Sequence, residues 1–131
     1  MKKTIIASLL SLSLLFAREA ESIIPSKLPE APQGVYEIYM TQNVYNFLVL
    51  NSQTGNVFQC QWGENSMCLE ILPSEKAKKN IQAGVRSLNR FKLYPTQNMW
   101  TYIMLDTVYG AVYHVQFTTK GDEYRFIQTI I

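Results

Sequence analysis

Short runs rich in apolar residues, VYEIYM (35–40), YNFLVL (45–50), VFQCQW (57–62) and MCLEIL (67–72), recur along the chain, and a polar or glycine-containing cluster closes each. Runs of this length between turn signals mark strands, and their aromatic and β-branched content favours the same assignment. The pattern returns in RFKLY (90–94), WTYIML (100–105), VYHVQF (112–117) and YRFIQTI (124–130). Two quartets of strands are predicted, each an antiparallel meander. The joining segment, PSEKAKKNIQAGVRSLN, carries Ser74 as a candidate helix cap and Ala77, Ile81, Val85 and Leu88 near one face. A short helix is expected there, weakened by Gly84.

The second quartet repeats the first. Residues 34–62 lie on residues 89–117 without a gap, at an offset of 55 positions. Tyr39 matches Tyr94, Thr41 Thr96, Gln42 Gln97, Asn43 Asn98, Leu50 Leu105, Gly55 Gly110, Val57 Val112 and Gln61 Gln116. Further pairs keep bulk and polarity: Tyr36 with Phe91, Tyr45 with Trp100, Phe47 with Tyr102, Asn51 with Asp106, Phe58 with Tyr113 and Trp62 with Phe117. An internal repeat of this kind means that one unit covers the apolar surface of the other. In both copies the central turn opens on a residue whose side-chain oxygen can bond nearby backbone N–H groups (Asn51, Asp106) and closes on glycine (Gly55, Gly110). A type I turn with a glycine bulge is predicted, with positive φ at both glycines.

The second strand of each copy is apolar in both phases: Tyr45, Phe47 and Val49 alternate with Leu48 and Leu50, and the later copy does the same. Such strands are expected to be buried on both faces. The fold class is therefore all-β: two four-stranded antiparallel meanders packed as a sandwich or closed barrel with pseudo-two-fold symmetry, and a short helical linker between them. The repeats occupy residues 34–72 and 89–131 of a single domain spanning 34–131.

The strings LYPTQNMWTYIMLD and NFLVLNSQTGNVFQCQW resemble an element Y-P-T-x-N-x-[YW]-x-F-L-x-L-D-x-x-x-G-x-x-x-x-V-Q-[WF] of small secreted proteins from gut Bacteroidetes, which carry it once or twice. The resemblance covers most of the chain beyond residue 22. It implies export and an all-β repeat, and brings no catalytic residue with it. The L-[DN]-x-x-T-G-x-V turn is also similar to that of quinoprotein-type β-propeller blades. Propellers need roughly four to eight blades, and the second copy lacks the threonine before Gly110. That likeness is read as shared hairpin chemistry, without the cofactor.

At the N-terminus, Lys2 and Lys3 precede an apolar run from Thr4 to Ala17, followed by small residues at Ala20 and Ser22. This is the pattern of a signal peptide, residues 1–22, and the run is shorter than the roughly 20 residues of a spanning helix. The chain is expected to be exported to the periplasm or outside the cell, with no stable membrane insertion once the signal is cut. Residues 23–33 contain Pro25, Pro29 and Pro32 and read as an extended lead-in. Without the signal the charge is nearly neutral, which gives nucleic acid or anionic lipid no long-range field to follow. The one basic run, Lys76, Lys78, Lys79, Arg86, Arg90 and Lys92, reads as a solvated linker face.

Candidate chemistry is sparse. His114, the only histidine, shares a strand face with Val112 and Gln116 and reads as a half-exposed strand residue with no nucleophile motif beside it. Asp106 is accounted for by its turn. Glu37 and Glu70 are the only candidates for a carboxylate pair flanking a sugar. One histidine and two cysteines without C-x-x-C spacing do not make a tetrahedral metal set. If the loop after the third strand is Gly63–Asn65, Cys60 lies opposite Cys68, as a disulfide or as two buried thiols.

What remains is aromatic. Tyr45 and Phe47, with Trp100 and Tyr102 in register, are expected to project from one face of the second strands, beside Thr-Gln-Asn in both copies. They are either core or a binding surface, with Asn43, Asn98, Gln61 and Gln116 as directional hydrogen-bonding groups. The reading is a non-enzymatic binding protein without a cofactor. A protein partner comes first, a glycan second, and a homodimer is compatible with either. A small exported hydrolase is the alternative of a different class.

Overall fold

The computed structural model describes residues 23, 24 and 27–131. The expected signal peptide lies outside the described residues. The elements run β1 (Ile23–Ile24), β2 (Tyr36–Met40), β3 (Asn46–Asn51), β4 (Val57–Gln61), β5 (Met67–Ile71), α1 (Glu75–Gln82), β6 (Phe91–Pro95), β7 (Thr101–Asp106), β8 (Val112–Gln116) and β9 (Phe126–Thr129), with a 3-10 turn at Asp122–Tyr124. All strand pairs are antiparallel, in the orders β1-β5-β4-β3-β2 and β6-β7-β8-β9. The two meanders are packed as a sandwich and do not close into a barrel. The lead-in adds a two-residue edge strand to the first sheet. The last strand starts later than its apolar pattern implies, because the 3-10 turn takes up Tyr124.

The turns form as their chemistry dictates. Asn51 Oδ1 accepts from the N–H groups of Gln53 and Thr54, and Asp106 Oδ1 from those of Val108 and Tyr109. Gly55 and Gly110 close them at φ +80° and +74°. The turns before β3 and β7 are also twins. Thr41 Oγ1 donates to the Asn46 carbonyl, and Thr96 Oγ1 to that of Thr101. Ser74 Oγ accepts from the Ala77 N–H at the start of α1, and Ala77 and Ile81 are buried. The helix stops before Gly84, at φ +85°, so Val85 and Leu88 do not join that face and remain exposed.

The relation between the sheets corrects the two-fold expectation. In β3 the residues facing the second sheet are Leu48 and Leu50, whereas Phe47 and Val49 face outward. In β7 the residues facing the first sheet are Tyr102 and Met104, the positions equivalent to Phe47 and Val49. The neighbouring strands agree. Val57 of β4 lies in the shared core, while in β8 the buried residues are Tyr113 and Val115, equivalent to Phe58 and Cys60. Unlike faces therefore meet, and a two-fold axis would have brought like faces together. The repeats are stacked head to tail. The physical reason is that both phases of β3 and β7 are apolar, so either face can be buried.

Head-to-tail stacking leaves two different outer faces. That of the first sheet forms a second core cluster, Val49, Phe58 and Cys60, against which Leu28, Tyr36, Phe47 and Cys68 pack. Leu28 comes from the lead-in, and the Tyr36 hydroxyl donates to the Pro29 carbonyl, which ties the segment down. Cys60 and Cys68 face each other in the ladder and are joined by a disulfide. The outer face of the second sheet has no such cover, and β7 departs from the expectation of burial on both sides. Ile103 and Leu105 are only half-buried, and no core cluster forms there among the described residues.

Candidate functional site

The eight sequence candidates do not form one site. Tyr45 and Trp100 sit in the turns before β3 and β7. Phe47 points to the outer face of the first sheet, and Tyr102 into the core, where its hydroxyl donates to the Met40 carbonyl. Their expected common face is thus corrected: equivalent residues point opposite ways once the sheets stack head to tail. Burial pushes the Tyr102 phenol above its ordinary value.

Asn43 and Asn98 have a structural task. The Asn43 side-chain oxygen accepts from the Tyr45 N–H and from Asn46 Nδ2, and that of Asn98 from the Trp100 N–H. These are the turn-forming bonds that short polar side chains make to their own backbone.

Three of the candidates do meet. Asn98, Trp100 and Gln116 line a groove of about 410 Å³ at one end of the second sheet, with Phe117, Lys120 and Tyr124. Gln116 Nε2 donates to the Tyr124 carbonyl, and the exposed Tyr124 lines the same groove as Trp100. In the first copy Tyr45 and Trp62, the equivalents of Trp100 and Phe117, form an exposed edge-to-face pair, with centroids 5.2 Å apart. Gln61 lies away from them in a smaller cleft between the sheets, with Asn46, Gln59, Thr118 and Arg125.

The other surface is the outer face of the second sheet, which the sequence did not single out. Lys92 and Tyr94 of β6, Ile103 and Leu105 of β7, Val112 and His114 of β8 and Phe126 of β9 share it through the strand register. Tyr94 is 47% exposed, whereas its equivalent Tyr39 is packed against the core. The equivalents of Ile103, Leu105 and Val112 are Leu48, Leu50 and Val57, all fully buried between the sheets. His114 lies edge-on to Phe126 at 5.0 Å, and its Nε2 is buried without a hydrogen-bond partner.

The remaining titratable candidates are engaged elsewhere. Glu37 accepts from the Tyr39 hydroxyl at 2.6 Å, and Glu70 from Asn56 Nδ2 at 2.8 Å. Paired with Leu50 and Phe58 respectively, they stand on opposite faces of the first sheet and do not flank one cleft. Burial, reinforced by the Glu37 carboxylate, pushes the Tyr39 phenol up to about 12.

Arg90 is a correction to the solvated basic run. It is 2% exposed and donates through Nε and Nη2 to Asp106 Oδ2, at 3.2 and 2.8 Å. Burial alone would raise the Asp106 carboxyl. The bonds from Arg90 and from two backbone N–H groups outweigh it and hold the carboxyl below its ordinary range. The signal was available in the hairpin register, which sets Asp106 opposite Phe91, one residue from Arg90.

Among the described residues no helix is long and apolar enough to cross a membrane, and no group of three or more His, Cys, Asp or Glu is placed to hold a metal. No protein-family model, curated protein or solved structure matches the chain.

Proposed function

We propose that the chain is an exported, non-enzymatic interaction protein whose working surface is the outer face of the second sheet, and that it binds protein. The observation that carries this reading is the contrast between the repeats. Positions that are fully buried as Leu48, Leu50 and Val57 in the first sheet recur as the half-buried Ile103, Leu105 and Val112 in the second. A contiguous apolar face of this kind marks association surfaces, and Tyr94 supplies the large amphipathic ring common at their centres. The test is capture by immobilised mature protein from periplasmic or culture fluid, compared with Tyr94→Ala and Ile103→Asp. Specific capture lost in both variants at unchanged melting temperature is expected. Capture unaffected by either variant would overturn the reading.

A glycan is the second reading, favoured by the groove that gathers Asn98, Trp100, Gln116, Lys120 and Tyr124. Two aromatic rings with amide groups beside them suit the faces and hydroxyls of a sugar. Glycan-array binding that disappears in Trp100→Ala, with Tyr94→Ala unaffected, would select this groove over the sheet face.

A further inference from the structure

We propose that the occupant of the open face of the second sheet is a second copy of this chain, docked through the outer face of its first sheet, so that chains associate head to tail. This rests on reading the open face as an interaction surface, and it names the partner. The internal repeat supplies the argument. Within one chain, a face carrying Tyr39, Leu48, Leu50 and Val57 is packed against a face carrying Phe91, Leu93, Met104 and Tyr113. The open face carries Tyr94, Ile103, Leu105 and Val112 at the positions of the first set. The outer face of the first sheet carries Tyr36, Ile38, Val49 and Phe58 at the positions of the second. Each chain thus ends in the two halves of an interface that it has already formed once inside itself.

Individual contacts transfer with the repeat. The Tyr39 hydroxyl accepts from the Leu93 N–H across the sheets, at 3.4 Å. Between copies the equivalent pair is Tyr94 and Ile38. Gln59 holds the backbone of Thr118 through its carboxamide. The equivalent pair is His114 and the backbone at Gly63. The lead-in competes for the same ground: Leu28 packs on Val49 and Phe58, which are only 6% and 3% exposed, so a second copy must displace it there, while Ile38 and Met40 stay 65% and 67% exposed beside it.

Unlike faces make a heterologous contact, which closes into a ring or runs on as a filament. Rings of stacked four-stranded sheets close at roughly four to eight sheets, which is roughly two to four copies of this two-sheet chain.

The experiment uses the full mature chain and two single variants, Tyr94→Cys and Ile38→Cys, joined by a short bismaleimide. Covalent dimers are expected when the two variants are mixed and not from either alone, with sedimentation giving an assembly of two to four chains. Leu28→Ala should tighten association several-fold by loosening the competing lead-in, and Ile103→Asp should weaken it by roughly tenfold or more. Cross-linking of Tyr94→Cys to itself would mean that open faces meet about a two-fold, and would overturn the proposal. So would a monomer at every concentration. If that monomer still captured another protein in an Ile103-dependent way, the interaction surface would stand and only the self-assembly would fall. Circular dichroism melting of each variant separates lost association from lost fold.

Discussion

Gln59 grips the backbone of Thr118 across the two sheets: its Nε2 donates to the Thr118 carbonyl at 2.6 Å, and its Oε1 accepts from the Thr118 N–H at 3.2 Å. Both residues are buried. The same oxygen accepts from Arg125 Nε at 3.0 Å, and Nε2 also donates to Asn46 Oδ1 at 3.1 Å. One side chain therefore partners both backbone groups of Thr118 at the end of β8, in a polar cleft between the sheets beside the apolar core.

Gln59→Ala should destabilise the fold by about 1–3 kcal/mol, because it strands the buried Thr118 N–H and leaves the Thr118 carbonyl only the long bond from Arg125 Nη2, at 3.5 Å. Gln59→Leu should not restore the loss, since shape is recovered but the Thr118 N–H stays unpaired. Thermal melting of both variants is the check. A Leu variant as stable as the parent would show that water reaches Thr118 in the native state.

The two turn glycines should differ in their sensitivity. Gly110 has positive φ and nothing near its missing side chain, so Gly110→Val should cost roughly 1 kcal/mol or more, from backbone strain alone. At Gly55 a Cβ would lie 3.0 Å from Ile81 and 3.1 Å from Phe91, both in the core. Gly55→Ala should therefore be clearly more destabilising than Gly110→Ala in chemical denaturation. Equal losses would mean that α1 yields to the added methyl group.

These turns, the four-strand rhythm and the position of Cys60 opposite Cys68 were legible in the sequence, because each depends on local chemistry or on counting across one loop. Which faces meet was not legible. A strand polar on one side has a phase that tells core from solvent, but Phe47, Leu48, Val49 and Leu50 are apolar in succession, and so are Tyr102 to Leu105. Without a phase the repeat looks the same for a two-fold pair and a head-to-tail stack, and Phe47 and Tyr102 were set on one face in consequence. The groove was legible in part, since Asn98, Trp100 and Gln116 belong to the repeated motif. Lys120 and Tyr124 come from the non-repeated stretch before β9, where no pattern pointed to them.

Acid should weaken the fold through Asp106. Its carboxyl is held below the ordinary value of 3.8, so the unfolded state takes up the proton first. The stability contributed by the Arg90–Asp106 pair is then fully present above that ordinary value, and is lost as the pH falls through the lower folded value. Denaturant midpoints measured from pH 6 down to about 2 should fall more steeply for the parent than for Asp106→Asn. The substitution should also cost roughly 3–5 kcal/mol at neutral pH, because it leaves the Arg90 guanidinium buried without its counter-charge.

A fragment ending near Ser87 should not be a stable monomer. It keeps the first meander, the lead-in and α1, but exposes Leu48, Leu50, Val57 and Ile71, which the second sheet covers in the whole chain. Each side chain returned to water costs about 1.5–3 kcal/mol, and four of them approach the whole stability of a small domain. The helix does not compensate, because Ala77 and Ile81 are its only buried residues and both pack into the shared core. The fragment still carries both kinds of face, the one that meets the second sheet and the one beneath Leu28. It should therefore be unfolded, aggregated or self-associated head to tail, as sedimentation and circular dichroism would distinguish. A cooperatively melting monomer would instead make each meander its own domain, and the stacked pair would then be an association of two independent units.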